Sequence, residues 1–448
     1  MNQAHGRQRR WQGLARALAL AGLVVWTAPS RAAETLLLTG ATVHTVSGDT
    51  LSPGQVLMRD GKVAAVGRSV SAPGAATLDL HGQHLYPGLI LLDSVLGLIE
   101  IEAVRSTADN TEVGEYTPDV ESWVAVNPDS ELLPVARANG VACFEPVPKG
   151  GIVPGQSGLV AMEGWTSEQR TLKKPLALHL FWPNLDLALK PPARADVKSK
   201  PKSLADQAKA RRAKVQAMLE FFEEARAYAK AKAAGGPAGA PSPQRVPAWE
   251  AMLPYVRGEL PIMVHADETR QIQAAVEWAT TNHYRMILAD GRDAWRLAGL
   301  LATNHIPVIY AHTYTQPTRD SESYDVHFTA PAVLHRAGVE VTFTIGLSPM
   351  AAPLARNLPY EAAQAVAYGL PEAEALKGIT LYPARLAAVA DRLGSIEPGK
   401  DATLFACSGS ILDVRANVTH LWLAGKEVSL ETRHTRLYEK YRNRPKPE

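Results

Sequence analysis

Cysteine is almost missing: in 448 residues only Cys143 and Cys407 occur, and no CxxC is formed. That excludes a cysteine zinc site and a disulfide framework. One disulfide or two free thiols remain open, and both residues lie in apolar β-like runs, VACFEPV and ATLFAC, where a free thiol packs as a small hydrophobe. Long apolar stretches are also lacking: after residue 32 no run is long enough to cross a bilayer, so no span is expected in a mature chain. Acids are absent from residues 1–32, which hold Arg7, Arg9, Arg10, Arg16 and Arg31, and the remainder is slightly acidic. With no nucleic-acid-binding pattern, that body has no electrostatic reason to bind nucleic acid. A phosphate loop and a serine nucleophile are missing as well. The run Gly150-Gly151-Ile152-Val153-Pro154-Gly155-Gln156-Ser157 puts glutamine where the phosphate-binding lysine belongs, and Ser157 lacks the glycine two residues before it.

What is present begins with a basic start, an apolar run from Ala17 to Trp26, and Ser30-Arg31-Ala32 before Ala33. This reads as a signal peptide over residues 1–32, against an amino-terminal anchor or core helix, and implies the periplasm or secretion. Arg9-Arg10-Trp11 suggests twin-arginine export, but Gln12-Gly13 stands where apolar residues should follow. At 46% hydrophobic and 21% charged, the chain has a globular balance, and its length fits two or three domains or one large α/β barrel.

Residues 36–86 alternate short apolar stretches with turns, including the hairpin signal Asp60-Gly61, and a matching block returns in IEPGKDATLFAC and VTHLWLAGKEV. Between them, apolar strands alternate with amphipathic helices, most clearly PIMVHA, RMILAD, PVIYAH and VEVTFTI; earlier candidates are LILLDSVLGL, VACFEPV, GLVAME and ALHLFWP. Such a pattern predicts a parallel sheet covered on both faces. The expected fold is α/β: a (β/α)8 TIM-type barrel with a small β-sandwich domain formed by both ends of the mature chain. Its expected parts are β-sandwich 33–86, barrel 87–390 with a helical insertion 190–247, β-sandwich 391–430 and tail 431–448. The insertion reads either as a lid over the pocket or as a solvated surface helix.

These blocks, in this order, resemble the amidohydrolase superfamily, and more narrowly its exported imidazolonepropionase-like members. The resemblance rests on LLLTGATVHTV with RDGKVAAVG, LYPGLI, PIMVHADET, ARNLPYEAAQAVAYGL, EALKGITLYPARLAAV and DRLGSIEPGKDATLF. It implies a hydrolase acting on carbon–nitrogen bonds of a small amide or cyclic amide, with one or two divalent metals, zinc most readily, at the carboxyl ends of the barrel strands. It also implies an HxH pair after strand one, a Lys or Glu on strand four, a His on each of strands five and six, and an Asp on strand eight.

Only His265 matches that set by type. Asp93 and Val95 stand in place of the HxH pair, strand six offers Asp290, and VTFTIGL has no aspartate. A rebuilt site is expected from Asp93, His265, Asp290 and His312, all near carboxyl ends of strands; for His265 alone the bland alternative is a hydrogen-bonded histidine in a relict pocket. Glu145 could act on a proton. Arg356 and Asn357 could grip an anionic substrate group or simply cap a helix, and the backbone at Gly150 and Gly151 could hold a carboxylate. The alternative function is a catalytically inactive relative that binds a small molecule or a protein partner.

Overall fold

The computed structural model describes residues 35–185, 187, 203–234 and 244–445. The expected signal peptide, the approach 190–202 to the insertion and its linker at 235–243 lie outside the described residues.

The chain opens with β1 (Thr35–His44), β2 (Thr50–Arg59), β3 (Lys62–Gly67), β4 (Ala76–Asp79) and β5 (His84–Pro87). Then come β6 (Leu89–Ser94), β7 (Val141–Pro146), β8 (Gly155–Gln156), β9 (Leu159–Ala161), β10 (Thr171–Lys173), β11 (Leu178–Phe181), β12 (Ile262–Ala266), β13 (Met286–Asp290), β14 (Val308–Tyr310) and β15 (Val341–Phe343). It returns through β16 (Leu404–Cys407), β17 (Val418–Leu423) and β18 (Lys426–Glu427).

The first five and last three strands form one hydrogen-bonded sheet, β18-β17-β16-β5-β1-β2-β3 with β4 on β1, where two facing sheets were expected. Arg59 pairs with Lys62 across Asp60-Gly61, whose φ values of 51° and 77° match the two positive φ of the favoured two-residue hairpin turn. Ala424-Gly425 closes β17 to β18 in the same way, at 47° and 79°. The two tips abut: a Cβ on Gly425 would lie 2.8 Å from the Gly61 Cα.

The central strands are laid out as a TIM-type α/β fold, in two sheets. β11 to β15 pair in parallel, each with the next, and β6 pairs in parallel with β7. The sheet orders are β10-β9-β7-β6 and β15-β14-β13-β12-β11-β8. At one junction Ser94 bridges Gly346 and the Thr344 hydroxyl donates to the Leu92 and Asp93 carbonyls. At the other, the Ser157 N–H donates to Ala177 and the Leu176 N–H to Ser157. One expectation is corrected: β9, read as the third parallel strand, runs antiparallel to β7. The connection 147–158 between the two strands carries β8 and no helix, where a parallel crossover usually carries one.

Side chains alternate along the parallel strands. Ile90, Leu92, Cys143, Met263, Ile287, Ala289 and Ile309 pack together on one side; Leu89, Leu91, Phe144, Ile262, Val264, Leu288 and Val308 join the large cluster shared with the helices. Both thiols are free and buried, and burial pushes that of Cys143 up to about 12.

The insertion is dominated by one helix, Leu204–Ala234. It buries Met218, Phe222, Ala225 and Ala229, spaced four, three and four apart, as one stripe. Phe222 sets its ring edge-on to Trp278, with centroids 4.8 Å apart, and Phe221 tilts against Trp249 at 5.0 Å. The stretch 218–229 is thus a packed part of the outer layer, while the first turns bury no residue. Phe222→Ala is expected to lower stability by about 3–5 kcal/mol. Denaturant unfolding checks this, and a change near zero would mean the helix only drapes the surface.

Candidate metal centre

The polar residues gather toward the ends of the parallel strands, Asp93 on β6, Glu145 on β7, His265 on β12 and Asp290 on β13, with His179 one layer deeper, near the start of β11. Alternation explains the inward turn of Glu145, His179 and His265, which keep step with Cys143 and Met263 on their strands or across the β11–β12 register. It does not explain the two aspartates. Being odd to Leu92 and Ala289, Asp93 and Asp290 in regular strands would face the helices. Both instead take left-handed backbone, φ 55° and 68°, which breaks the alternation. Such a conformation costs a non-glycine residue on the order of 1–3 kcal/mol and concentrates at functional sites.

As a result Asp93, His265 and Asp290 each offer one ligand atom within 4.8 Å of the others. The His265 Nδ1 lies 3.3 Å from an Asp290 oxygen and 3.8 Å from an Asp93 oxygen. Both Asp93 carboxylate oxygens and the His265 Nδ1 are buried without a hydrogen-bond partner. Burial pushes the Asp93 carboxyl up to about 8, with Asp290 and Glu145 adding to the rise and His265 and Lys149 opposing it. Burial alone would lower the His265 pKa, but Asp93 and Asp290 outweigh it and hold it raised. Two carboxylates and an imidazole with orphaned atoms converging on one point fit a divalent cation.

Behind His265 stands a second layer. Its Nε2 lies 3.0 Å from the His179 Nδ1, and the His179 Nε2 faces Glu145 at 3.6 Å. Burial lowers the His179 pKa despite Glu145, so this ring is neutral. With Nδ1 of His265 facing the carboxylates, the network assigns Nε2–H of His265 as donor to His179. Glu145 accepts from the Ser157 hydroxyl at 2.5 Å and from the Asp93 N–H at 3.0 Å. It is wholly buried with both oxygens engaged, so it orients its neighbours and cannot reach a substrate, contrary to the proton-transfer role read from sequence. Phe181 lies flat on His265, centroids 4.0 Å apart and planes 5° off parallel.

Three other expectations meet a different arrangement. His312 does not join the cluster: its Nε2 is 2.7 Å from Asp267 and its Nδ1 3.1 Å from the Thr315 hydroxyl, which occupies both ring nitrogens. Arg356 and Asn357 lie away from the carboxyl ends. The Arg356 carbonyl accepts from the Asn139 side chain, just before β7, and a strand of that length puts Glu145 roughly 15–20 Å further on. Neither side chain caps the following helix. Gly150 and Gly151 take positive φ and pack on the segment 111–115, where a Cβ on Gly151 would lie 2.7 Å from the Gly114 carbonyl. Close chain approach accounts for both glycines.

His179, Ser157 and Thr344 were not singled out by sequence as site residues. The readable signal for His179 was its place inside the apolar run ALHLF, one strand before His265.

A parallel α/β layout of this kind carries its active site at the carboxyl strand ends, where the carboxylates and His265 lie. The model of the amidohydrolase family matches residues 172–428, and the chain belongs to that family. Among solved structures, an amidohydrolase from Thermotoga maritima MSB8 is similar at TM-score 0.76 and 27% identity, over 88% of this chain and 99% of that one. A second amidohydrolase is similar at TM-score 0.52 and 16% identity, over 88% and 98% of the two chains. A prolidase complexed with N-methylphosphonate-L-proline shares the fold at TM-score 0.53 and 15% identity, over 88% and 99%. No curated protein matches in sequence.

Proposed function

We propose that the protein hydrolyses a carbon–nitrogen bond in a small amide or cyclic amide, at a single divalent cation held by Asp93, His265 and Asp290. The observation that carries this reading is the convergence of three ligand atoms, with the Asp93 and His265 atoms buried and unpartnered. Orphaned polar atoms cost free energy, and retaining a charged cluster of them makes sense where a cation completes it. Bound there, such an ion supplies a water of lowered pKa and polarises a carbonyl oxygen.

The chain's own groups do the remaining work. His179 accepts from Nε2–H of His265, which keeps Nδ1 free for ligation, and Glu145 backs His179 while holding the Asp93 backbone. Phe181 covers the His265 ring and keeps water from it. Asp290, 25% exposed, is the ligand nearest to an arriving substrate.

The test is metal content. Protein purified from zinc-supplemented medium is expected to hold close to one ion per chain and to hydrolyse members of an N-acyl amino acid and cyclic amide panel, with loss on chelation and recovery on zinc addition. Metal-free, inert protein after supplementation would sink the reading.

Within the family, the imidazolonepropionase-like exported members are the proposed relatives, on the blocks quoted above. Export goes with that reading: the secreted or periplasmic form is expected to begin at Ala33, which intact-mass measurement checks. A mass retaining residues 1–32 would refute it.

A further inference from the structure

A cavity of about 760 Å³ lies beside the metal centre, between the end of β11 and the first turns of the helix Leu204–Ala234. Phe181 forms part of its wall, and the same ring covers His265, so the cavity begins one ring's thickness from the centre. Ile152 and Pro183 extend the apolar wall. Opposite stand two cations of the helix, Arg211 and Lys214.

Their situations differ. The Lys214 ammonium is 3.1 Å from the Glu115 carboxylate, so its charge is met. Arg211 has no hydrogen bond or ion pair among the described residues, and its Nη1 is buried. A guanidinium nitrogen removed from water without an acceptor is costly, and a bound anion would remove that cost. With Glu115 balancing Lys214, the wall carries about one uncompensated positive charge. That suits a monoanion, and the planar guanidinium fork matches a carboxylate.

We propose that this cavity receives a carboxylate-bearing end of the amide substrate, with Arg211 as its partner. The substrate class is then an N-acyl amino acid or similar amide with an apolar side chain against Phe181 and Pro183. This rests on the hydrolase reading for the chemistry, but the anion site itself does not depend on turnover.

The test is calorimetric titration of the zinc-loaded protein with N-acetyl-L-leucine and with its methylamide, which lacks the charge. The wild type is expected to bind the carboxylate at least about tenfold tighter. Arg211→Gln should abolish that preference, and Arg211→Lys should keep part of it, with metal content unchanged in both. Equal affinity for the two probes, an undiminished preference in Arg211→Gln, or no binding of either probe would overturn the proposal. Metal content and product formation, read on the same samples, keep the two conclusions apart. Active, metal-loaded protein without the preference loses only the anion site, whereas inert, metal-free protein that keeps it loses only the hydrolase reading.

Discussion

His265→Ala should remove the bound metal and lower the rate of amide hydrolysis by about three orders of magnitude, equivalent to about 4 kcal/mol of barrier. The effect is large because the substitution deletes the imidazole that faces both carboxylates, leaving only two of the three ligand groups. Glu145→Gln is the milder companion. It keeps the size of the side chain but can accept from only one of the Ser157 hydroxyl and the Asp93 N–H, and it loses the charge behind His179, so a 10–100-fold loss of metal affinity is expected. Metal per chain after dialysis against graded chelator checks both. A His265→Ala protein that still holds one ion would show that the aspartates find their third ligand elsewhere.

The second large effect concerns the metal-free protein and pH. The folded-state pKa of Asp93 is raised from 3.8 to about 8, chiefly by burial. Over that interval the folded chain holds a proton that the unfolded chain has released. The contribution of Asp93 to the stability of chelated protein is therefore full below about pH 4, falls as pH rises, and reaches its floor above pH 8. His265, also raised, pushes the same way, since its favourable charge is lost as pH climbs through its folded-state pKa. The combined fall should be on the order of 2–5 kcal/mol. Asp93→Asn is expected to flatten most of it and to unfold at higher denaturant than the wild type at pH 8, while binding no metal. Guanidinium unfolding at pH 5, 6.5 and 8 decides, and a wild type that gains stability with pH would contradict the assignment.

Much of the architecture could be read from the chain because its signals are strong. Mostly apolar pentads such as IMVHA and MILAD are buried along nearly their whole length, and Asp60-Gly61 closes the hairpin its composition announces. The direction of β9 was not legible, because direction depends on whether the connection carries a crossover helix and not on the apolar pattern. In the site, Asp93, His265 and Asp290 could be named from their positions at strand ends. What could not be read is the left-handed backbone that turns both aspartates inward, since nothing in LLDS or LADG demands it. His312 illustrates the opposite error: a histidine at the right end of a strand was claimed by a nearer acid, Asp267. Arg211 was hidden by its surroundings, because an Ala/Lys/Arg/Glu helix reads as solvated until one knows which turn closes a cavity.

The sheet that joins the two ends of the described chain also has a temporal side. On the ribosome β1 and β5 emerge early, but β16, which zips antiparallel onto β5 from Leu404 to Cys407, is made almost last. Until then the nascent polypeptide carries an unmatched row of amides and carbonyls along β5, and Gly61 waits for its packing partner at Ala424-Gly425. A chain cut short before Leu404 should consequently be a substrate for chaperones and proteases, however complete its central strands.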